Sequence, residues 1–272
     1  MNLKILTIVI ALSTTLSATA QKKGKAKAKR SIPAVVESPG IKLYKSMIPS
    51  TAKLMFVDSL VVDKKDFLAQ IPLISEAGKL SMRDSLHSQY LNEFGDRWIF
   101  AHGDNTSSAL YTADKLADKW STPTPIFNKT EGIEKANYPF LMADGVTLYF
   151  AAKGGNTMGG YDIFMSTFDH DNGVYYSPEN IGLPFNSTAN DYLLAIDDID
   201  NLGWLVTDRR QPEGKVCIYT FVPTASRIGF EDTDLSTVEI ERYSRILSIA
   251  DTWKFGNRKA AMAKLSDIKK RI

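Results

Sequence analysis

The chain has 272 residues, 44% hydrophobic and 24% charged, an ordinary globular balance with enough apolar material for a sizeable core. The formal net charge of +2 is unevenly placed: residues 1–30 hold seven of the 33 Lys and Arg and no acid, so residues 31–272 carry 26 basic against 31 acidic side chains, about −5. A mildly acidic body without a nucleic-acid module argues against DNA or RNA binding, and a single cysteine, Cys217, excludes an internal disulfide and reads as a buried thiol.

In chain order, "MNLKILTIVIALSTTLSATA" joins a Lys4-bearing head, a short apolar run and an Ala18-Thr19-Ala20 ending, the layout of a secretory signal peptide. Residues 1–20 are expected to be a leader cleaved before Gln21, and the mature protein to be exported, periplasmic or outer-membrane-associated. No later run approaches the ~20 apolar residues of a spanning helix, so no transmembrane span is expected in the mature chain. Residues 21–50, opening "QKKGKAKAKR", read as a basic disordered linker. A repeat-bearing β domain is expected over 51–225, opening on the strand-like "LMFVDSLVVDKKDF" before Pro72 and Gly78 interrupt the regularity.

Three segments share one order of strand, polar turn and strand: 96–123, 145–182 and 201–223. Their second strands carry Tyr111, Phe164 and Tyr219, at intervals of 53 and 55 residues. Strands of about five or six residues with short turns make a four-stranded antiparallel unit of ~40–50 residues. In the middle unit, Asp144-Gly145 between apolar runs is a tight-turn pair. Tyr138, Phe140, Phe150 and Phe164 are read as core aromatics. The glycine-rich "KGGNTMGG" that follows is read as a flexible hairpin loop, because a strand and not a helix follows it, so it is no phosphate loop.

The stretch "YPFLMADGVTLYFAAKGGNTMGGYDIFMS" is similar to the propeller repeat of TolB-like proteins, also called WD40-like or PD-type. Pro139, Asp144, Gly145, Leu148, Phe150, Asp162, Ile163 and Phe164 occupy the repeat's characteristic places, Met142-Ala143 replaces its usual serine, and the likeness spans about 90–225. The resemblance implies an all-β fold, a β-propeller-like array of antiparallel four-stranded blades, partial or degenerate because only about three units are present. It also implies a protein of the Gram-negative cell envelope. Residues 226–272 are expected to form a short C-terminal helical segment. Its first helix has a Ser236–Glu239 capping box and an apolar face of Ile240, Tyr243, Leu247 and Ala250, and its second aligns Met262, Leu265 and Ile268.

No nucleophile elbow and no metal-ligand spacing stand out, and no cofactor or metal is expected; His87, His102 and His170 are scattered, and "DHDNG" at 169–173 reads as a hairpin turn. Two functions remain. The favoured one is a noncatalytic envelope scaffold or binding protein, engaging an envelope protein or a glycan such as peptidoglycan through Tyr161, Asp162, Asp208, Arg209 and Arg210 at loop ends. The alternative is an exported carbohydrate-active hydrolase on a propeller fold, with Asp144, Asp162, Asp191 and Asp208 as its acids.

Overall fold

The computed structural model describes residues 37–127 and 132–272. The expected leader, and residues 21–36 of the expected linker, lie outside the described residues. In chain order come α1 (Pro39–Met47), β1 (Met55–Asp63), β2 (Lys79–Met82), β3 (Ser88–Leu91), β4 (Arg97–Gly103), β5 (Ser108–Leu116), β6 (Lys119–Trp120), β7 (Thr124–Pro125), β8 (Lys135–Leu141), β9 (Thr147–Lys153), β10 (Asp162–Asp169), β11 (Val174–Tyr175), β12 (Glu179–Asn180), β13 (Asp191–Asp197), β14 (Leu202–Thr207), β15 (Lys215–Val222), α2 (Thr237–Ser244) and α3 (Arg258–Arg271). The protein is mostly antiparallel β with a short C-terminal helical segment, and residues 37–272 form one compact unit.

Three meanders organise the strands: β3–β4–β5, β8–β9–β10 and β13–β14–β15. Each first hairpin turns on one Asx residue whose side-chain oxygen holds two backbone N–H groups. Asn92 accepts from Asp96 and Arg97 (3.0 and 2.9 Å), Asp144 from Val146 and Thr147 (both 2.8 Å), and Asp197 from Ile199 and Asp200 (2.9 and 3.2 Å). Gly95, Gly145 and Asn201 supply the left-handed residue of these turns. The second hairpins place Phe100 opposite Tyr111, Phe150 opposite Phe164, and Leu205 opposite Tyr219. The 53- and 55-residue intervals thus mark equivalent ladder positions. The same three residues meet a fourth strand: Tyr111 pairs Pro125 of β7, Phe164 pairs Asn180 of β12, and Tyr219 pairs Ser59 of β1.

The third fourth-strand comes from the other end of the chain. β1 lies antiparallel to β15 over eight residue pairs and closes a four-stranded sheet ordered β1–β15–β14–β13. The first two meanders touch edge to edge through a single parallel pair, Ser108 with Lys135. Phe56, Phe140, Phe150, Trp204 and Phe221 are buried between the sheets. At about 25 cal/mol per Å² of apolar surface, such residues are the main stabilising term.

Two expectations for the ends of the domain are corrected. Residues 39–50, expected to continue the linker, are helical: Ser38 accepts from the Ile41 N–H (3.3 Å), and Pro39 sits at the first helical position, where a missing N–H costs nothing. Buried Tyr44 and Ile48 fasten α1 to α2, where the Tyr44 and Ser244 hydroxyls lie 3.0 Å apart. The Ser236–Glu239 capping box is present, but α2 ends at Ser244 because Ile246 turns left-handed (φ 49°). Leu247 and Ala250 consequently lie outside the buried face that Ile240 begins. In α3, Leu265 and Ile268 are buried as expected, with Ala261 completing the face more than the half-buried Met262.

The glycine-rich loop between β9 and β10 is a hairpin connection, as its following strand required, but it is packed in place. The Asp162 carboxylate accepts from the Met158 N–H (2.9 Å), Met158 is buried, and Gly40 of α1 presses on its carbonyl. A Cβ at Gly159 would stand 2.3 Å from the Ala189 carbonyl oxygen, whereas one at Gly155 would meet nothing within 4 Å. Gly159→Ala is therefore expected to cost about 2 kcal/mol or more and Gly155→Ala to lie within about 0.5 kcal/mol of the wild type, as read by denaturant melts.

Candidate functional site

Three tyrosines from two meanders converge where the first strands of those meanders meet. The rings of Tyr138 in β8, Tyr161 just before β10 and Tyr192 in β13 lie 6.2, 5.9 and 5.9 Å apart, centroid to centroid, and Phe67 backs Tyr138 and Tyr192 at 5.4 and 6.2 Å. Local sequence explains Tyr138. Pairing of β8 with β9 skips between Asn137 and Phe140, Pro139 has no N–H to give the ladder, and Tyr138 adopts φ 53°. A left-handed aromatic costs roughly 1–3 kcal/mol and persists only where its surroundings impose it. Here Tyr138 N–H donates to Ser88 Oγ (2.9 Å), while Asn137 Oδ1 holds the Ser88 N–H and hydroxyl (both 2.9 Å).

Asn190 does the corresponding work one repeat later. Its side-chain oxygen accepts from the Tyr161 N–H (3.1 Å), and its backbone and side-chain N–H groups donate to Asp208 (2.8 Å each). Tyr192 hydroxyl donates to Asp208 Oδ2 (2.7 Å) and accepts from Lys64 Nζ (2.7 Å). Lys153 Nζ lies 4.7 Å above the Tyr161 ring. Burial, then Lys135 and Lys64, push the Lys153 ammonium below its usual range against the pull of Asp208. Burial and the neighbouring Tyr161 push Tyr138 up to about 12, and burial pushes Tyr161 up, so both phenols stay neutral at physiological pH.

Beside this cluster a cavity of about 690 Å³ opens against Lys64, Lys65, Phe67 and Tyr138, with Asp63 and Asp84 also in its wall. A second cavity of about 590 Å³ has a largely apolar floor that includes Leu194 and Phe221, and its one cation, Arg227, donates to the carbonyls of Ser50, Ile181 and Leu183 (2.7–2.8 Å). Converging polar groups make the tyrosine–lysine end the better binding site. No protein-family model and no curated protein matches the chain.

Of the five residues expected at surface loop ends, Tyr161 joins the cluster as a half-buried ring and Asp208 supports it from below through Asn190 and Tyr192. Asp162 and Arg209 are buried and offer nothing to a partner. Asp162 Oδ2 accepts from Met158 N–H and Asn180 Nδ2 (2.7 Å). Arg209 donates to the carbonyls of Pro184 (2.9 Å) and Phe185 (2.7 Å) and to Asp191 (2.7 Å). Arg210 is exposed but its guanidinium donates to the carbonyls of Arg245 and Ile246 (2.6 Å for the latter), tying the third meander to the end of α2. Of the positions that carry the resemblance, Pro139, Phe150 and Phe164 are buried, and Asp144-Gly145 makes a turn.

Asp169 likewise caps a turn, accepting from the Asp171 and Asn172 N–H groups (2.9 and 3.2 Å). Cys217 is buried, and burial pushes its thiol up, away from a reactive thiolate. The sequence places Tyr138 in the core and does not single out Tyr192, Lys64 or Lys153 for the site. A signal for the tyrosines exists: Ala136-Asn137-Tyr138 and Ala189-Asn190-Asp191-Tyr192 put a tyrosine behind an asparagine 54 residues apart, the repeat interval.

Proposed function

We propose that the protein is an exported, noncatalytic scaffold or binding protein of the cell envelope, built on a degenerate TolB-like, WD40-like propeller array. In this reading each meander with its fourth strand is one blade, and β1 supplies the outer strand of the last. The ladder equivalence of Tyr111, Phe164 and Tyr219 supports it, as does the strand content of the fold. Its ligand, an envelope protein or a glycan, is met at the tyrosine–lysine end.

The observation that carries the noncatalytic reading is what the four candidate acids do. Asp144 holds a turn, Asp162 a loop, Asp191 pairs with Arg209, and Asp208 positions Asn190 and Tyr192. Burial pushes Asp162 up to about 7, within the range of a general acid, but a catalytic acid must reach its substrate and this side chain is wholly buried. Asp208→Ala tests the choice. Losing three hydrogen bonds at a half-buried carboxylate is expected to cost about 1–3 kcal/mol, lowering the melting temperature by several degrees. A hydrolase would in addition cleave envelope glycans as wild type and lose that cleavage in the variant.

A further inference from the structure

We propose that the tyrosine–lysine end binds an acidic saccharide, its sugar faces against the half-buried Tyr138 and Tyr161 rings, with buried Tyr192 behind them, and its carboxylates against Lys64 and Lys153. This rests on the noncatalytic binding reading and narrows its ligand class. Among the described residues, positive charge at this end of the fold lacks carboxylate partners. The carboxylates that line the cavity or support the cluster are already engaged: Asp63 pairs with Lys215 (2.9 Å), Asp84 accepts from the Leu86 and His87 backbone N–H groups (2.8 and 2.9 Å), and Asp208 takes the hydrogen bonds of Asn190 and Tyr192. Among the described residues, the ammonium groups of Lys64, Lys65 and Lys153 have no carboxylate partner. Lys153 is half-buried, and a partly desolvated cation gains more from an incoming anion than one in open water.

Shape and hydrogen-bonding groups then favour a sugar over a simple anion. The hydroxyls of Tyr138 and Tyr161 belong to half-buried rings and make no side-chain hydrogen bond among the described residues, which leaves both to donate and accept. The Tyr138 ring lines the cavity of about 690 Å³ together with Lys64 and Lys65, and the Tyr161 ring meets it edge to face. Inorganic phosphate would use the ammonium groups and none of this aromatic surface. The left-handed Tyr138, held by Ser88 and Asn137, fixes one ring before any ligand arrives, which lowers the ordering cost of binding.

Calorimetric titration of the whole chain with trigalacturonate, neutral maltotriose and inorganic phosphate tests this. Trigalacturonate is expected to bind at least ~10-fold more tightly than either, and Lys153→Gln to weaken it ~10-fold with the melting temperature unchanged. Lys64→Gln, at an exposed position, provides the same readout should Lys153→Gln perturb folding. Equal binding of maltotriose overturns the acidic class and leaves the noncatalytic reading standing. Phosphate binding as tight as trigalacturonate, or no binding of any probe, overturns the saccharide site. Cleavage of either sugar overturns the noncatalytic reading itself.

Discussion

Replacing Arg209 with alanine is expected to lower the unfolding free energy by about 3–5 kcal/mol, because it strips the partner from a buried charge. Arg209 and Asp191 are both buried and meet at 2.7 Å, and the guanidinium also satisfies the Pro184 and Phe185 carbonyls and bonds Thr207 Oγ1 (3.2 Å). Burial pushes the Asp191 carboxyl up and Arg209 pulls it back. Without Arg209 only the upward push and the smaller pull of the Thr207 and Ser187 hydroxyls remain, so the variant's folded state holds its proton to higher pH than the unfolded chain does. The deficit should therefore be smaller at pH 5 than at pH 8, because lower pH favours the protonated, neutral form of the unpaired Asp191. Urea unfolding at the two pH values reads this. Arg209→Met with Asp191→Leu, which removes both charges, is expected to lose less than Arg209→Ala alone.

Asp162 gives the second large effect, and two substitutions separate its hydrogen bonds from its titration. Asp162→Ala leaves the buried Met158 N–H and Asn180 amide without their acceptor and should cost about 2–4 kcal/mol. Asp162→Asn keeps one acceptor oxygen for both donors and removes a carboxyl that burial pushes up to about 7. A folded-state value above the unfolded one means that the folded protein binds the proton more tightly. Its contribution is then full below about pH 4 and is lost as pH rises to about 7, a decline on the order of 3 kcal/mol. The asparagine variant lacks that decline, so its stability relative to wild type should rise between pH 4 and pH 7. Parallel stability curves for the two proteins across that range would show that Asp162 does not titrate in the fold.

These two residues also show where the sequence could be read and where it could not. Asp144-Gly145, the Ser236–Glu239 box and the strand–turn–strand order are local patterns, and each formed the structure its spacing implies. Asp162 and Arg209 look like surface loop-end residues because they are charged, polar and next to turns. Their burial depends on α1 and the 183–190 segment covering them, and nothing within a few residues of either announces that cover. The same distance hid the pairing of β1 with β15, whose partners are some 160 residues apart. The candidate site needed still more. Tyr138, Tyr161 and Tyr192 meet only once the first strands of two meanders are neighbours, and Lys64 reaches Tyr192 from the far end of β1.

The most direct test of the account follows the tyrosine rings themselves while a sugar is added. In a protein carrying ¹³C-labelled tyrosine, trigalacturonate is predicted to shift the ring signals of the half-buried Tyr138 and Tyr161 in saturable fashion, with the trisaccharide recovered intact. Ring signals that stay in place while others move, or a trisaccharide cut during the titration, would contradict a noncatalytic site at the tyrosine–lysine end.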